Sequence, residues 1–121
     1  MQSFKDQFSF EHRFAEANRI RTKHALSIPV VFQSIESSKS PIVPVRLIIP
    51  GSVCCSQLNI AIRRRMKDIT QEMGIFLFVG DTNFLVPGAS TLDSLYQRCR
   101  DADGMLYITV AVENAFGNHY T

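Results

Sequence analysis

The chain has 121 residues, 45% of them hydrophobic and 20% charged, with a net charge of +2. That is the profile of one ordinary folded domain rather than a disordered chain, and so small a charge gives no argument for nucleic acid. No run approaches the roughly 18 apolar residues that span a bilayer, and the N-terminus reads as too polar for a secretory signal.

Residues 1–9 carry Phe4 and Phe8 four apart, enough for one short amphipathic helix or a mobile arm. From Phe10 to His24 the spacing is helical, with Phe10, Phe14, Ala17 and Ile20 predicted to face inward. Ser9 is placed to cap this helix, and His24 to end it with a cation near the C-terminal dipole. Ile28 to Ile35 reads as a strand with Pro29 near its start, and Glu36 to Pro41 as a serine-rich loop.

Val45-Arg-Leu-Ile-Ile-Pro50 is a second strand, held between Pro44 and Pro50. Prolines in sheets favour edges and strand ends because they donate no backbone hydrogen bond. Period-two alternation sends Leu47 and Ile49 to one face and Arg46 and Ile48 to the other. A strand apolar on both faces is either a central core strand or an edge with a face kept for a partner.

A helix is predicted from about Cys54 to Lys67, with Cys55, Leu58, Ile62 and Met66 inward and Arg63, Arg64 and Arg65 across its end. Ile75 to Val79 reads as a buried strand, Gly80 to Asn83 as a turn, and Phe84 to Val86 as a short return strand. Thr91 is placed to cap a helix that buries Leu92, Leu95, Tyr96 and Cys99, and Met105 to Val112 forms the last strand. This order is that of an α+β domain, a ubiquitin-like β-grasp roll with two extra N-terminal helices. Residues 1–26 would be a helical extension packed on the sheet's outer face, 27–113 the roll, and 114–121 a flexible tail.

The chemistry-bearing residues are sparse. The three cysteines, with Cys54 and Cys55 adjacent, read as reduced thiols of a cytosolic protein. The three histidines show no metal-ligand spacing, and no glycine-rich phosphate loop is present, so neither metal nor cofactor is expected. A thiol at a helix N-terminus, as at Cys54, can become reactive, but no histidine is placed near it. The chain is therefore expected not to be an enzyme, with a thiol-dependent enzyme as the alternative class.

The segments Phe10-Glu11, Arg19-Ile20-Arg21, Ile28-Pro29-Val30-Val31 and Leu47-Ile48-Ile49-Pro50 resemble the autophagy ubiquitin-like modifiers, the light-chain-3 and GABA-receptor-associated-protein group. So do Ile62-Arg63-Arg64-Arg65, Ile75-Phe76-Leu77-Phe78-Val79, Leu95-Tyr96 and Leu106-Tyr107-Ile108. The likeness runs from residue 4 to residue 117. It implies a modifier cut by a processing cysteine protease after Gly117, which follows Phe116. Ubiquitin-like activating and conjugating enzymes would then join it to phosphatidylethanolamine. Such a protein is cytoplasmic, and lies on the autophagosomal membrane and cytoplasmic vesicles when lipidated. There it recruits cargo receptors and adaptors through aromatic-x-x-aliphatic peptide motifs. The alternative is a diverged, unconjugated paralogue acting as a non-covalent peptide-binding or cytoskeletal adaptor.

The resemblance also implies where such a peptide docks. Glu16, Ile20, Pro29, Ile48 and Met105 would line an aromatic pocket with Arg46 at its rim. Leu47, Ile49, Pro50, Val53, Leu58 and Ala61 would line an aliphatic pocket, and Arg63 and Arg65 would meet acidic flanks. Met105 and Ala61 stand where the family usually has bulkier Phe and Leu, and Cys54 where it commonly has a capping Thr. Read without the resemblance, Ile48 and Leu58 are equally core residues, the arginines a solvated helix end, and Gly117 an incidental glycine. By the same resemblance the basic N-terminal helix could hold tubulin, although Glu11 and Glu16 interleaved there are those of a solvated face.

Overall fold

A computed structural model describes residues 2–34, 44–66, 73–80 and 82–113. The serine-rich loop and the Phe116-Gly117 tail lie outside the described residues. Two helices come first, α1 (Phe4–Gln7) and α2 (Phe10–Lys23). Ser3 opens α1 with a reciprocal capping box to Asp6, and the Ser9 hydroxyl accepts from the His12 N–H to open α2. His24 caps the C-terminal end of α2 through its own N–H, and Arg21 and Lys23 sit in the last turn, where the helix dipole favours cations.

Two strands follow, β1 (Ser27–Ser34) and β2 (Val45–Pro50). A single 3-10 turn (Cys55–Gln57) leads into α3 (Leu58–Arg63), and then come β3 (Gly74–Val79), α4 (Leu92–Cys99) and β4 (Leu106–Glu113). The sheet order is β2-β1-β4-β3. β1 and β4 are parallel at the centre, and each pairs antiparallel with an outer strand. This is the ubiquitin-like α+β architecture that the element order predicts.

The two faces of the sheet are covered by different elements. Ile28, Val30 and Phe32 of β1 pack with Ile75, Leu77, Leu106, Ile108 and Val110, beneath Leu58 and Ile62 of α3 and Leu92, Leu95 and Tyr96 of α4. Burying each such side chain contributes about 1.5–3 kcal/mol. On the outer face Val31, Met105 and Tyr107 lie under Phe4 of α1 and Ala17 of α2, with Phe8 alongside. On this face the N-terminal helices cover only β1 and the start of β4. β3 is left uncovered there, so Phe76 is 40% exposed rather than part of a wholly buried strand.

Four other expectations need correction. The inward stripe of α2 is Arg13, Ala17 and Ile20, while Phe10 and Phe14 stack on each other at 5.8 Å and are 44% and 47% exposed. Arg13 takes the inward place because Asp103, with no exposed surface, lies opposite it, and Nη1 meets Oδ2 at 3.1 Å. The central helix is shorter than predicted. Cys54 makes no side-chain cap, the chain enters through the 3-10 turn, and α3 ends at Arg63. The return strand is a single bridge, Phe78 to Leu85, flanked by the Val79–Phe84 and Val86–Leu77 backbone hydrogen bonds. Cys99 is exposed at the end of α4.

The approach of α2 to the turn before β4 depends on Gly104. Its φ is +87°, and a Cβ there would stand 3.0 Å from the Ala17 Cβ. Gly104→Ala is expected to cost about 1–3 kcal/mol, from backbone strain plus displacement of α2. Denaturant titration reads this directly. A loss below half a kilocalorie would mean that the turn and helix yield without strain.

Candidate functional site

Strand β2 lies at one edge of the sheet. Among the described residues it pairs only with β1, from Ser27 opposite Pro50 to Phe32 opposite Val45. The other edge, β3, is partly occupied: Val79 N–H donates to Phe84 O at 2.9 Å, and Val86 N–H to Leu77 O at 2.8 Å. Among the described residues, β2 therefore has the longer unpaired run of backbone of the two edges.

The register sorts the side chains as the alternation requires. Ile48 stands opposite Pro29 and Arg46 opposite Val31, on the face covered by α2. Ile49 stands opposite Ile28 and Leu47 opposite Val30, on the face of α3. Arg46, Leu47 and Ile49 are half-buried, Ile48 is 39% exposed, and Pro50 is exposed. An ordinary core strand would not keep this much apolar surface in water, so the strand is neither a central strand nor a charged, blunted edge.

On the α2 side, Glu16 ties the helix to the strand. Its carboxylate accepts from Arg19 Nε at 3.1 Å and Nη2 at 2.6 Å. Arg46 Nη1 comes to 3.3 Å of the same carboxylate, an ion pair whose angle does not make a hydrogen bond. Arg46 Nη1 is thus a buried donor without a hydrogen bond. The hydrogen bond from Arg19 holds the Glu16 carboxyl below its usual pKa, and the charges of Arg19 and Arg46 add to that against the cost of desolvation. Ile20 and Met105 have no exposed surface and Pro29 is buried, so of these residues Ile48 alone offers apolar surface to solvent.

On the α3 side, Leu47 and Ile49 pack against the main cluster, and Val53 and Ala61 are half-buried. Leu58 is only 1% exposed and belongs to the main core cluster. Arg65 is exposed, whereas Arg63 is half-buried and donates from Nη2 to Met73 O at 2.7 Å, which ties it to the segment before β3. Phe116 and Gly117 fall outside the described residues.

The Cys54 thiol donates to Gly88 O at 2.9 Å and receives the Ser56 hydroxyl at 3.3 Å, and that hydroxyl lowers its pKa. Among the described residues no group of three or more His, Cys, Asp or Glu side chains could hold a metal ion, and no helix is long and apolar enough to cross a membrane. Sequence reasoning missed the buried Arg13–Asp103–Tyr107 group, which positions α2 and with it Glu16 and Ile20. The one signal available was an arginine at the i−4 position from Ala17, and it carried no indication of its partner.

The family described as "Autophagy protein Atg8 ubiquitin like" matches residues 12–117. The chain belongs to the Atg8 family. Autophagy-related protein 8 of Coccidioides immitis is 41% identical over 116 residues, covering 95% of this chain and 97% of that one. The protein of the same name from Emericella nidulans is 40% identical, covering 95% and 96%. The crystal structure of Trypanosoma brucei ATG8 superposes with a TM-score of 0.76 at 22% identity, over 97% of this chain and all of that one, a likeness of fold. The match places this Atg8-family chain among the ubiquitin-like proteins of autophagy, and it takes in Phe116 and Gly117.

Proposed function

We propose that this chain is a conjugated autophagy modifier whose β2 edge docks aromatic-x-x-aliphatic peptides of cargo receptors and adaptors. The observation that carries the docking reading is the one-sided pairing of β2, with Ile48 and Arg46 on one face and Leu47 and Ile49 on the other. A guest adding itself as a strand gains main-chain hydrogen bonds and places alternate side chains on opposite faces. Anchors three residues apart are separated by an odd number, so one falls toward α2 and the other toward α3. That spacing fits a site whose two apolar flanks lie on opposite faces of one edge. Each buried anchor contributes about 1.5–3 kcal/mol before ordering costs, which gives reversible, roughly micromolar binding. Arg46 and Arg65 favour acidic flanks, acting mostly on association rate and salt dependence.

The conjugation reading rests on family membership together with Gly117 following Phe116. A glycine lets a processing cysteine protease and the conjugating enzymes grip the backbone closely. Cleavage exposes the Gly117 carboxylate, which becomes a thioester and then an amide with phosphatidylethanolamine. The protein then moves from cytoplasm to autophagosomal membrane. It supplies no catalytic group of its own.

Two measurements test the two halves separately. Incubation of the full chain with a family processing protease is expected to remove the mass of residues 118–121, and Gly117→Ala to abolish that loss. An intact wild-type chain makes this an unconjugated adaptor. Titration with an aromatic-x-x-aliphatic peptide is expected to shift the amides of Arg46 to Ile49 and Ile20. Shifts confined to other elements would discard the groove.

A further inference from the structure

The space between α3 and the β3 edge is not filled. A cavity of about 220 Å³, partly open to solvent, lies there. Its walls include Ile75 and Leu77 of β3, Leu85 and Val86 of the return segment, and Ser56 and Asn59 of the 3-10 turn and α3. Backbone hydrogen bonds hold these walls in place, from Val86 N–H to Leu77 O at 2.8 Å and from Ser56 N–H to Gly88 O at 3.0 Å, so the hollow is preformed. It lies at the opposite edge of the sheet from β2 and owes nothing to the docking reading.

The Ser56 and Asn59 side chains are not equally free. The Ser56 hydroxyl is committed to the Cys54 sulfur at 3.3 Å. Asn59 Oδ1 is buried and accepts no hydrogen bond, a state that folded proteins rarely leave uncompensated. The last torsion of an asparagine is soft, and this oxygen has no bond to break, so the amide can turn toward a donor in the cavity at little cost. The remaining contact is aliphatic, with Leu85 itself 57% exposed. A dry cavity of about 150 Å³ takes one benzene ring, so the somewhat larger hollow here has room for a ring or a fused pair and not for a drug-sized molecule.

We infer that this cavity binds a small, flat aromatic molecule carrying one N–H or O–H on its edge, of the indole or phenol class. Asn59 Oδ1 accepts that hydrogen, and the aliphatic walls take the ring out of water.

The test titrates the full chain with indole and with indene, which has the same fused-ring outline but no N–H. Indole is expected to shift the amides of Asn59, Leu77, Leu85 and Val86 saturably, at roughly millimolar concentration. Indene is expected to bind about three- to tenfold more weakly. Asn59→Leu keeps a branched side chain and removes the acceptor, so indole should fall to the level of indene. Leu85→Ala trims an exposed part of the wall and should weaken both ligands alike. Amide spectra of the free variants show whether the fold is kept. The wild-type contrast needs no variant, so it decides the matter even if Asn59→Leu disturbs α3. Equal binding of indole and indene, shifts that do not saturate, or shifts centred on Ile48 instead of these residues would overturn the assignment.

Discussion

Asp103→Ala is expected to destabilise the protein by about 3–5 kcal/mol, the cost of breaking a buried ion pair by removing one partner. Typical domains have about 5–15 kcal/mol in all, so a large share of the stability would go. Asp103 has no exposed surface and four groups converge on it or its backbone. Its carboxylate accepts from Arg13 Nη1 at 3.1 Å, from Met105 N–H at 2.8 Å and from the Tyr107 hydroxyl, and its own N–H donates to Asp101 Oδ2 at 3.1 Å. Alanine leaves the guanidinium of Arg13, a residue only 8% exposed, without its counter-ion, and leaves two donors unsatisfied. Denaturant unfolding measures the loss, and a change under 1 kcal/mol would show that water replaces the carboxylate without cost. A double replacement, Arg13→Met with Asp103→Leu, is expected to cost less than the sum of the single changes, because no charge is then stranded.

The same cluster sets an alkaline limit. Burial, then the hydrogen bond to Asp103 and its charge, push the Tyr107 hydroxyl well above its usual pKa. A group whose folded pKa is raised contributes stability that is fully present below its unfolded value, about 10 for tyrosine, and is lost as pH rises toward the folded one. Stability is therefore expected to fall above about pH 10, and Tyr107→Phe to flatten that fall. A neighbouring link ties α1 to the same turn. Lys5 Nζ meets Asp101 Oδ1 at 2.7 Å and lies 4.8 Å above the Tyr107 ring. For Asp101 burial alone would raise the pKa, but the hydrogen bonds from Lys5 and the Asp103 N–H, with the charges of Lys5 and Arg13, lower it.

What could be read from the sequence followed from local chemistry. Ser9 and Thr91 cap the helices they precede because a short hydroxyl side chain needs only the next turn's N–H. The two faces of β2 were legible because alternation is a property of the strand alone. What was not legible depended on partners far along the chain. Arg13 is buried and Phe14 exposed because Asp103 waits 90 residues away, and no local pattern ranks an arginine above two phenylalanines as a core residue. α3 starts later than its pattern suggests, because the Cys54 thiol makes no cap and turns instead to Gly88, 34 residues on. At the site, the helical spacing already turns Ile20 and Leu58 inward, but no local pattern shows that Pro29 and Met105 are sealed as well, leaving Ile48 as the exposed apolar residue on its face.

That exposure makes Ile48→Glu the decisive substitution for docking. Because Ile48 is 39% exposed on an edge strand, the folded state is expected to lose little, within about 1 kcal/mol. A guest strand, by contrast, loses its apolar contact and must bury a carboxylate beside its aromatic anchor. Together these outweigh the roughly 1.5–3 kcal/mol an anchor contributes, so affinity for an aromatic-x-x-aliphatic peptide should fall at least tenfold to a hundredfold. Phe76→Glu is the matched control. Phe76 is 40% exposed, also faces outward from an edge strand, and lies at the opposite edge of the sheet. It adds the same charge to the same kind of surface, so a generic effect of acidity on association would lower both variants alike. Loss at Ile48 with wild-type binding at Phe76 assigns the guest to β2. Equal loss at both positions, or binding that survives Ile48→Glu, places it elsewhere on the molecule.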